Sequence, residues 1–146
     1  MSKIRACLIF PVHLILQLSN MAFWGGSIFL FGIIRFLLPI KSVSNALLDI
    51  MHRLYSTFAI ISVAMIKIFN RIEIRIDIDE PLSKQKWYLI TANHISYLDI
   101  ILLIDFCASR IPPPKFFVQK QVIWLLFVGI AACALDMPFM RRYTPV

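Results

Sequence analysis

Charge is scarce in this 146-residue chain. Lys, Arg, Asp and Glu make up 16% of the residues, against about a quarter in a typical soluble domain, while hydrophobic residues make up 60%. No run of Lys and Arg is longer than Arg141-Arg142, and the sequence contains neither zinc-finger spacing nor a Gly-rich aromatic motif. These absences argue against a nucleic-acid partner, and the apolar composition indicates contact with a membrane.

Cysteines and clustered metal ligands are also scarce. Cys7, Cys107 and Cys133 have no C-x-x-C spacing, and two of them lie in apolar runs, so we expect buried free thiols. No cluster of His, Cys, Asp and Glu has the spacing of metal ligands, so no metal site is predicted.

An uncharged run, residues 6–34, lies near the start of the chain between basic residues on both sides. It is long enough to span a bilayer core of about 30 Å. Several residues are expected to break it into pieces of roughly a dozen. These residues are Pro11, Gln17, Ser19, Asn20, Gly25 and Gly26. We predict that residues 1–40 anchor the chain in a membrane, as a hairpin that returns to the same face or as one tilted span. A cleaved signal peptide is disfavoured because no A-x-A site follows.

The periodicity of the remaining residues predicts the fold class. Residues 44–69 have the helical period of an amphipathic helix, and residues 97–107 resume a helical pattern. Residues 71–79 alternate Ile with charge and residues 87–92 are continuously apolar, which predicts two strands. Residues 115–122 are expected to hold a short strand and the start of a helix. This order predicts an α/β fold, a sheet layered with helices, preceded by hydrophobic membrane-associated N-terminal helices.

The stretch TANHISYLDI, residues 91–100, follows the second predicted strand and has two interpretations. In the structural one, Ser96 caps a helix and Asp99 completes a capping box. That interpretation explains Ser96 and Asp99, but it leaves Asn93 and His94 unexplained.

In the functional interpretation, the same stretch is a catalytic site. If a helix starts near residue 97, Asp99 lies in its first turn and His94 in the loop before it, so the two side chains can approach each other. A carboxylate on one imidazole nitrogen leaves the other nitrogen to accept a proton from a hydroxyl group. The spacing therefore suggests a His/Asp pair that acts without a nucleophilic serine.

The block NHISYLD, Asn93 to Asp99, resembles the N-H-x-S-x-x-D block of the 1-acylglycerol-3-phosphate acyltransferases and related glycerolipid acyltransferases. In its detail the sequence resembles the bacterial inner-membrane branch of that family. Residues 115–143 are similar to the segments that follow in that family. They end in an aromatic-apolar-x-Arg block whose phosphate-binding arginine is best matched by Arg142, with Arg141 as second choice.

This resemblance implies a mechanism. His94 is the general base that deprotonates the free hydroxyl of a lysophospholipid, and Asp99 orients it. The oxygen then attacks the thioester of acyl-CoA or acyl carrier protein, which is a co-substrate, so no cofactor is expected. Substrate binding is assigned to Asn93, Ser96, Lys120, Arg141 and Arg142.

The resemblance also implies organisation and location. Residues 41–146 correspond to the N-terminal part of the catalytic domain, on the cytoplasmic side of a bacterial inner membrane, with membrane lipids as partners. The family's third block, a Pro-Glu-Gly segment, is not found before Val146. We therefore expect an apparently truncated enzyme with an unpaired strand edge and slow or undetectable turnover. The alternatives are a catalytically inactive membrane-associated remnant and a small membrane adaptor.

Overall fold

The computed structural model describes residues 3–38, 40–70, 72–93, 96–124 and 128–141. Across these ranges the chain is mostly helical, with four α-helices and one short parallel sheet of two strands. In chain order the elements are α1 (Lys3–Leu37), α2 (Lys41–Asn70), α3 (Tyr97–Arg110), β1 (Val118–Gln119), a 3-10 helix (Lys120–Trp124), α4 (Val128–Ala134) and β2 (Phe139–Met140).

The chain divides into two compact units, and both long helices contribute to each. The first unit comprises Met1–Asn20 and Ser56–Pro114, and therefore contains α3. The second unit comprises Met21–Tyr55 and Lys115–Val146, and therefore contains α4 and the sheet.

Helix α1 is continuous over 35 residues, so the prediction that it breaks into pieces is wrong. Its polar residues remain in the helix because they find partners on α2. The Asn20 amide donates to the Ser62 hydroxyl at 2.9 Å, and the Gln17 amide donates to the Ser62 carbonyl oxygen at 3.0 Å. Amide groups bonded across a helix pair do not need water, so they stabilise the pair instead of ending a helix. Pro11 also lies inside α1, where it removes one backbone donor.

The predicted amphipathic helix at residues 44–69 is confirmed as α2. Two helical stretches, Ile9–Leu37 and Lys41–Asn70, are long and apolar enough to cross a membrane. Only 11% and 28% of their most apolar windows are buried within the protein. Much of their apolar surface is therefore exposed, unlike that of a core helix in a soluble domain.

The core of the second unit joins α1, α2 and the end of α4. Ile28, Met51 and Leu135 are buried together at its centre. Around them pack Phe31, Leu48, Leu54, Tyr55, Ala131, Ala134 and Met137. Gly32 permits this close approach, because a Cβ atom there would lie 2.9 Å from the Ala134 Cβ.

Helix α4 ends in a Schellman motif. The Met137 N–H donates to the Ala132 carbonyl at 2.9 Å, and the Asp136 N–H donates to the Cys133 carbonyl at 3.2 Å. Asp136 has a φ of 53°, in the left-handed region where this motif usually places glycine. Aspartate tolerates that region better than most side chains do.

Arg35, near the end of α1, binds this motif. Its two terminal nitrogens donate to the two carboxylate oxygens of Asp136 at 2.9 and 2.7 Å, and Nη1 also donates to the Ala134 carbonyl at 3.0 Å. Its Nε donates to the Ser44 hydroxyl at 2.9 Å. The hydrogen bonds and the positive charge of Arg35 lower the pKa of Asp136 below its usual value.

The predicted strands at residues 71–79 and 87–92 are not formed: neither 72–79 nor 87–92 belongs to any strand. The layered α/β sheet is thus limited to β1 and β2 within the described ranges. Alternation shows that a segment suits a pleated, half-buried surface, but a strand also needs a partner for its backbone groups. By contrast, the predicted helix from residue 97 and the short strand followed by a helical turn after residue 115 are confirmed.

We predict that washing with high salt or alkaline carbonate leaves the chain in membranes, because apolar burial does not depend on ionic screening. Deleting residues 1–40 should release part of the chain into the soluble fraction, with α2 retaining the rest. Immunoblots of pellet and supernatant measure this distribution. Release of the intact chain by salt alone would show that its basic surface holds it.

The low pKa of Asp136 predicts a pH-dependent contribution to stability. The carboxylate bonded to Arg35 stabilises the fold fully above the ordinary Asp pKa of about 3.9, and this contribution is lost as the pH falls through the lower folded value. Asp136→Asn tolerates the same backbone but lacks the charge. The difference in melting temperature between wild type and Asp136→Asn should be constant from pH 5 to 7 and shrink in more acidic buffer. An unchanged difference at pH 3 would contradict the role assigned to the ion pair.

Candidate functional site

The N-terminus of α3 is capped by the residues that carry the candidate motif. Ser96 is the N-cap residue, with φ −145° and ψ 160°. Its backbone N–H donates to the Asp99 carboxylate at 2.8 Å, and the Asp99 N–H donates to the Ser96 carbonyl at 3.1 Å. The structural interpretation of these two residues is therefore confirmed.

The cap does not exhaust the chemistry of Asp99. A carboxylate accepts at about four lone-pair sites, so a bond to one backbone N–H is compatible with a second donor. Asp99 is half-buried, and Asn93, the last described residue before position 94, is exposed. His94 lies outside the described residues, so its catalytic assignment stays a prediction.

Helix α3 is also held at its C-terminal end. The Lys84 ammonium donates to the Ala108 carbonyl and the Arg110 guanidinium to the Phe106 carbonyl, both at 3.1 Å. Lys84 supplies a donor to one of the last four carbonyls, which lack partners within the helix, and both cations complement the helix dipole. Ile104 and Cys107 bury the inner face of the helix. Helix α3 is therefore held at both ends, which fixes the position of its N-terminal residues.

Cys107 gives no candidate nucleophile, and the side chain of Cys7 lies outside the described part of the chain. Burial raises the pKa of the Cys107 thiol to about 11, so it stays protonated at neutral pH and is a poor nucleophile. Cys133 is exposed, which contradicts the expectation of buried thiols. It lies on the outer side of α4, a short helix whose buried residues are Gly129 and Ala132.

A depression of about 370 Å³ lies at the opposite end of α3. It is lined by Arg110 and by residues 78–82. Fourteen residues of helix, about 21 Å, separate Arg110 from Ser96, so this depression is remote from the motif.

The second unit brings two predicted phosphate-binding cations to one edge of the sheet. Strands β1 and β2 are parallel, with Val118 opposite Phe139 and Gln119 opposite Met140. Lys120 and Arg141 each follow the last paired residue of its strand, and both are exposed. Paired strands lie about 4.8 Å apart, so the two backbones leave the sheet side by side. Arg142, the preferred match in the sequence, lies outside the described residues.

The candidate residues thus fall into two groups. Asn93, Ser96 and Asp99 belong to the first unit, and Lys120 and Arg141 to the second. Sequence reasoning missed Arg35 and Asp136, which bind each other across 101 positions of the chain.

A local signal for the end of α4 was present in the sequence. Pro138 follows Asp136 by two residues, as proline often follows a helix C-cap. The partner of Asp136 had no such signal.

Residues 73–145 match the sequence profile of the Acyltransferase family. The match covers 73 of the 146 residues, half of the chain, and includes both the α3 cap and the edge of the sheet. The chain belongs to the acyltransferase family, which supports a general function in acyl transfer. Neither the curated proteins nor the solved structures that were compared with the chain give a match.

The α3 cap predicts a difference between two identical substitutions in one helix. Asp99→Asn removes a charge-assisted hydrogen bond and a favourable charge at the helix start, at a cost of about 0.5–2 kcal/mol of unfolding free energy. Asp105→Asn in the middle of α3 makes the same chemical change away from the cap. Denaturant unfolding in detergent compares the two variants, and equal stabilities would argue against the cap.

Proposed function

We propose that this acyltransferase moves a fatty acyl group from a soluble thioester, acyl-CoA or acyl carrier protein, to the free hydroxyl of a lysophospholipid such as 1-acylglycerol-3-phosphate. The observation that carries the proposal is the capped start of α3, which fixes Asp99 five residues after His94 in the sequence, inside the part of the chain that matches the family.

In the proposed reaction, His94 takes the proton of the acceptor hydroxyl while Asp99 orients and stabilises the imidazolium. The acceptor oxygen attacks the thioester carbon, a new C–O ester bond forms and the C–S bond breaks. The proton on His94 then passes to the departing thiolate, so the histidine returns to its neutral form. Asn93 and Ser96 flank this centre and are assigned to substrate binding.

The acceptor phosphate is proposed to bind at the edge of the β1–β2 sheet. Lys120 and Arg141 follow the paired ends of two parallel strands, the side at which ligands bind in α/β sheets. A guanidinium donates two hydrogen bonds to a phosphate, while an ammonium adds a point charge. Arg142 is assigned to the same phosphate because it matches the family's block.

The proposed location is the cytoplasmic side of a bacterial inner membrane. The exposed apolar surfaces of α1 and α2 support burial in lipid, and the net charge of +7 supports contact with anionic head groups. Acyl-CoA and acyl carrier protein are soluble, so a catalytic part on the cytoplasmic side has access to donor and acceptor. Residues 1–40 are proposed as the anchor and residues 41–146 as catalytic sequence.

His94→Ala should abolish acyl transfer, and Asp99→Asn should leave a small residual rate. Loss of the general base removes the proton acceptor, at a cost of about 10²- to 10⁴-fold, whereas loss of its orienter only disfavours the correct tautomer. The measurement is transfer of a labelled acyl group to lysophosphatidic acid by detergent-purified protein. Asp105→Asn serves as the control and should keep the wild-type rate.

Two outcomes would contradict the proposed mechanism. Wild-type turnover in His94→Ala would remove the base from the reaction. A rate equally low in Asp99→Asn and Asp105→Asn would show that the carboxylate near the cap has no special part. Either result would leave the motif as only the start of a helix, whereas absence of transfer by the wild-type chain itself would favour the alternative of a catalytically inactive membrane protein.

A further inference from the structure

We propose that Arg35 is a positioning residue for the acceptor phosphate, because it holds β2, and through β2 Arg141, at the edge of the sheet. This inference rests on the proposed function, in which Lys120 and the arginines after β2 bind that phosphate. Arg35 itself has no assigned contact with a substrate.

The guanidinium of Arg35 ties three segments together. Through Ser44 it is bonded to the start of α2, through the Ala134 carbonyl to the end of α4, and through both oxygens of Asp136 to the residue that leads into β2. The bonds to Ser44 and Ala134 fix the plane of the guanidinium, and its two parallel bonds to Asp136 then fix the position and the orientation of that carboxylate.

The segment from Asp136 to Arg141 is short, and hydrogen bonds or packing constrain most of its residues. The Met137 N–H donates to the Ala132 carbonyl, as part of the Schellman motif, and the Met137 side chain packs against the core of the second unit. The Pro138 carbonyl accepts the Val118 N–H at 2.9 Å, and Phe139 opens the paired register. With only two residues in each strand, the sheet supplies little cohesion of its own. The register of β2 therefore depends on the ion pair between Arg35 and Asp136, and so does the place where Arg141 leaves the sheet.

The contacts that Arg35 makes with Asp136, Ala134 and Ser44 require arginine. A lysine at position 35 keeps the positive charge, but it cannot donate to two carboxylate oxygens and to Ser44 in one plane. The Arg35 side chain is 21% exposed, so water screens it only in part. The Arg75–Glu73 pair, at 3.4 Å with side chains 82% and 77% exposed, provides a contrast within the chain, since such surface pairs contribute little.

The experiment measures equilibrium binding of two radiolabelled ligands to the full chain in detergent. One is lysophosphatidic acid and the other is the monoacylglycerol with the same acyl chain but no phosphate. We expect Arg35→Lys to weaken binding of the phosphorylated ligand about 10-fold or more and to leave the other unchanged, because a misplaced cation loses its alignment with the phosphate. Asp136→Gly should do the same, although glycine suits the backbone at that position. Arg75→Lys, the matched control, should change neither affinity.

A second comparison separates positioning from a general effect on folding. If Arg35 acts through the cations after β2, Arg35→Lys has little further effect in a chain that already carries Arg141→Ala and Arg142→Ala. A merely structural role would weaken both ligands alike and would persist in that background, and either result overturns the inference.

The design also distinguishes failure of the inference from failure of the proposed function. If Arg141→Ala with Arg142→Ala weakens binding of the phosphorylated ligand and Arg35→Lys does not, the positioning role is wrong and the proposed phosphate site is supported. If the wild-type chain shows no preference for the phosphorylated ligand, the proposed function is wrong and the role of Arg35 falls with it.

Discussion

The antiparallel contact between α1 and α2 is the feature on which both units are built. In the first unit, the amides of Gln17 and Asn20 bond to Ser62, which is fully buried. In the second unit, Ile28 packs with Met51 in the common core. An amide in apolar surroundings costs free energy unless it is bonded, so the polar contacts select one rotation of each helix about its axis. The apolar contacts then fill the space that this rotation creates.

Local patterns predicted the helices well because the information that forms a helix is local. The apolar period of α2 and the cap at Ser96 each lie within one segment of sequence, and both were identified correctly. The predicted break of α1 failed for a non-local reason: its polar residues are satisfied by α2, more than 35 positions away. The strands at 71–79 and 87–92 failed for a related reason, since alternation shows which face of a segment is apolar and says nothing about a pairing partner.

In the candidate site, too, features set by local sequence could be predicted, whereas features that need a distant partner could not. Ser96 and Asp99 could be predicted together because a capping box spans four residues. Lys120 and Arg141 were each identified singly, but their adjacency is a property of the β1–β2 register and required the fold. In the sequence, Arg35 is only a basic residue that follows the uncharged run at residues 6–34, since a partner 101 residues away leaves no trace in local composition. The cations around the sheet edge therefore become a group only when long-range pairing is known.

The left-handed backbone of Asp136 constrains how this chain can change during evolution. Of the residues that occupy such a backbone at low cost, glycine, asparagine and aspartate, only aspartate offers two anionic oxygens to a guanidinium. Replacing Asp136 first leaves a partly buried Arg35 without its counter-charge, whereas replacing Arg35 first removes the need for a carboxylate. The order of substitution is therefore biased: position 35 changes before position 136, and glycine then becomes the favoured successor of the aspartate. In an alignment of relatives, the two columns should covary as Arg with Asp or as another residue with Gly, a signature that a search for helix caps alone would miss.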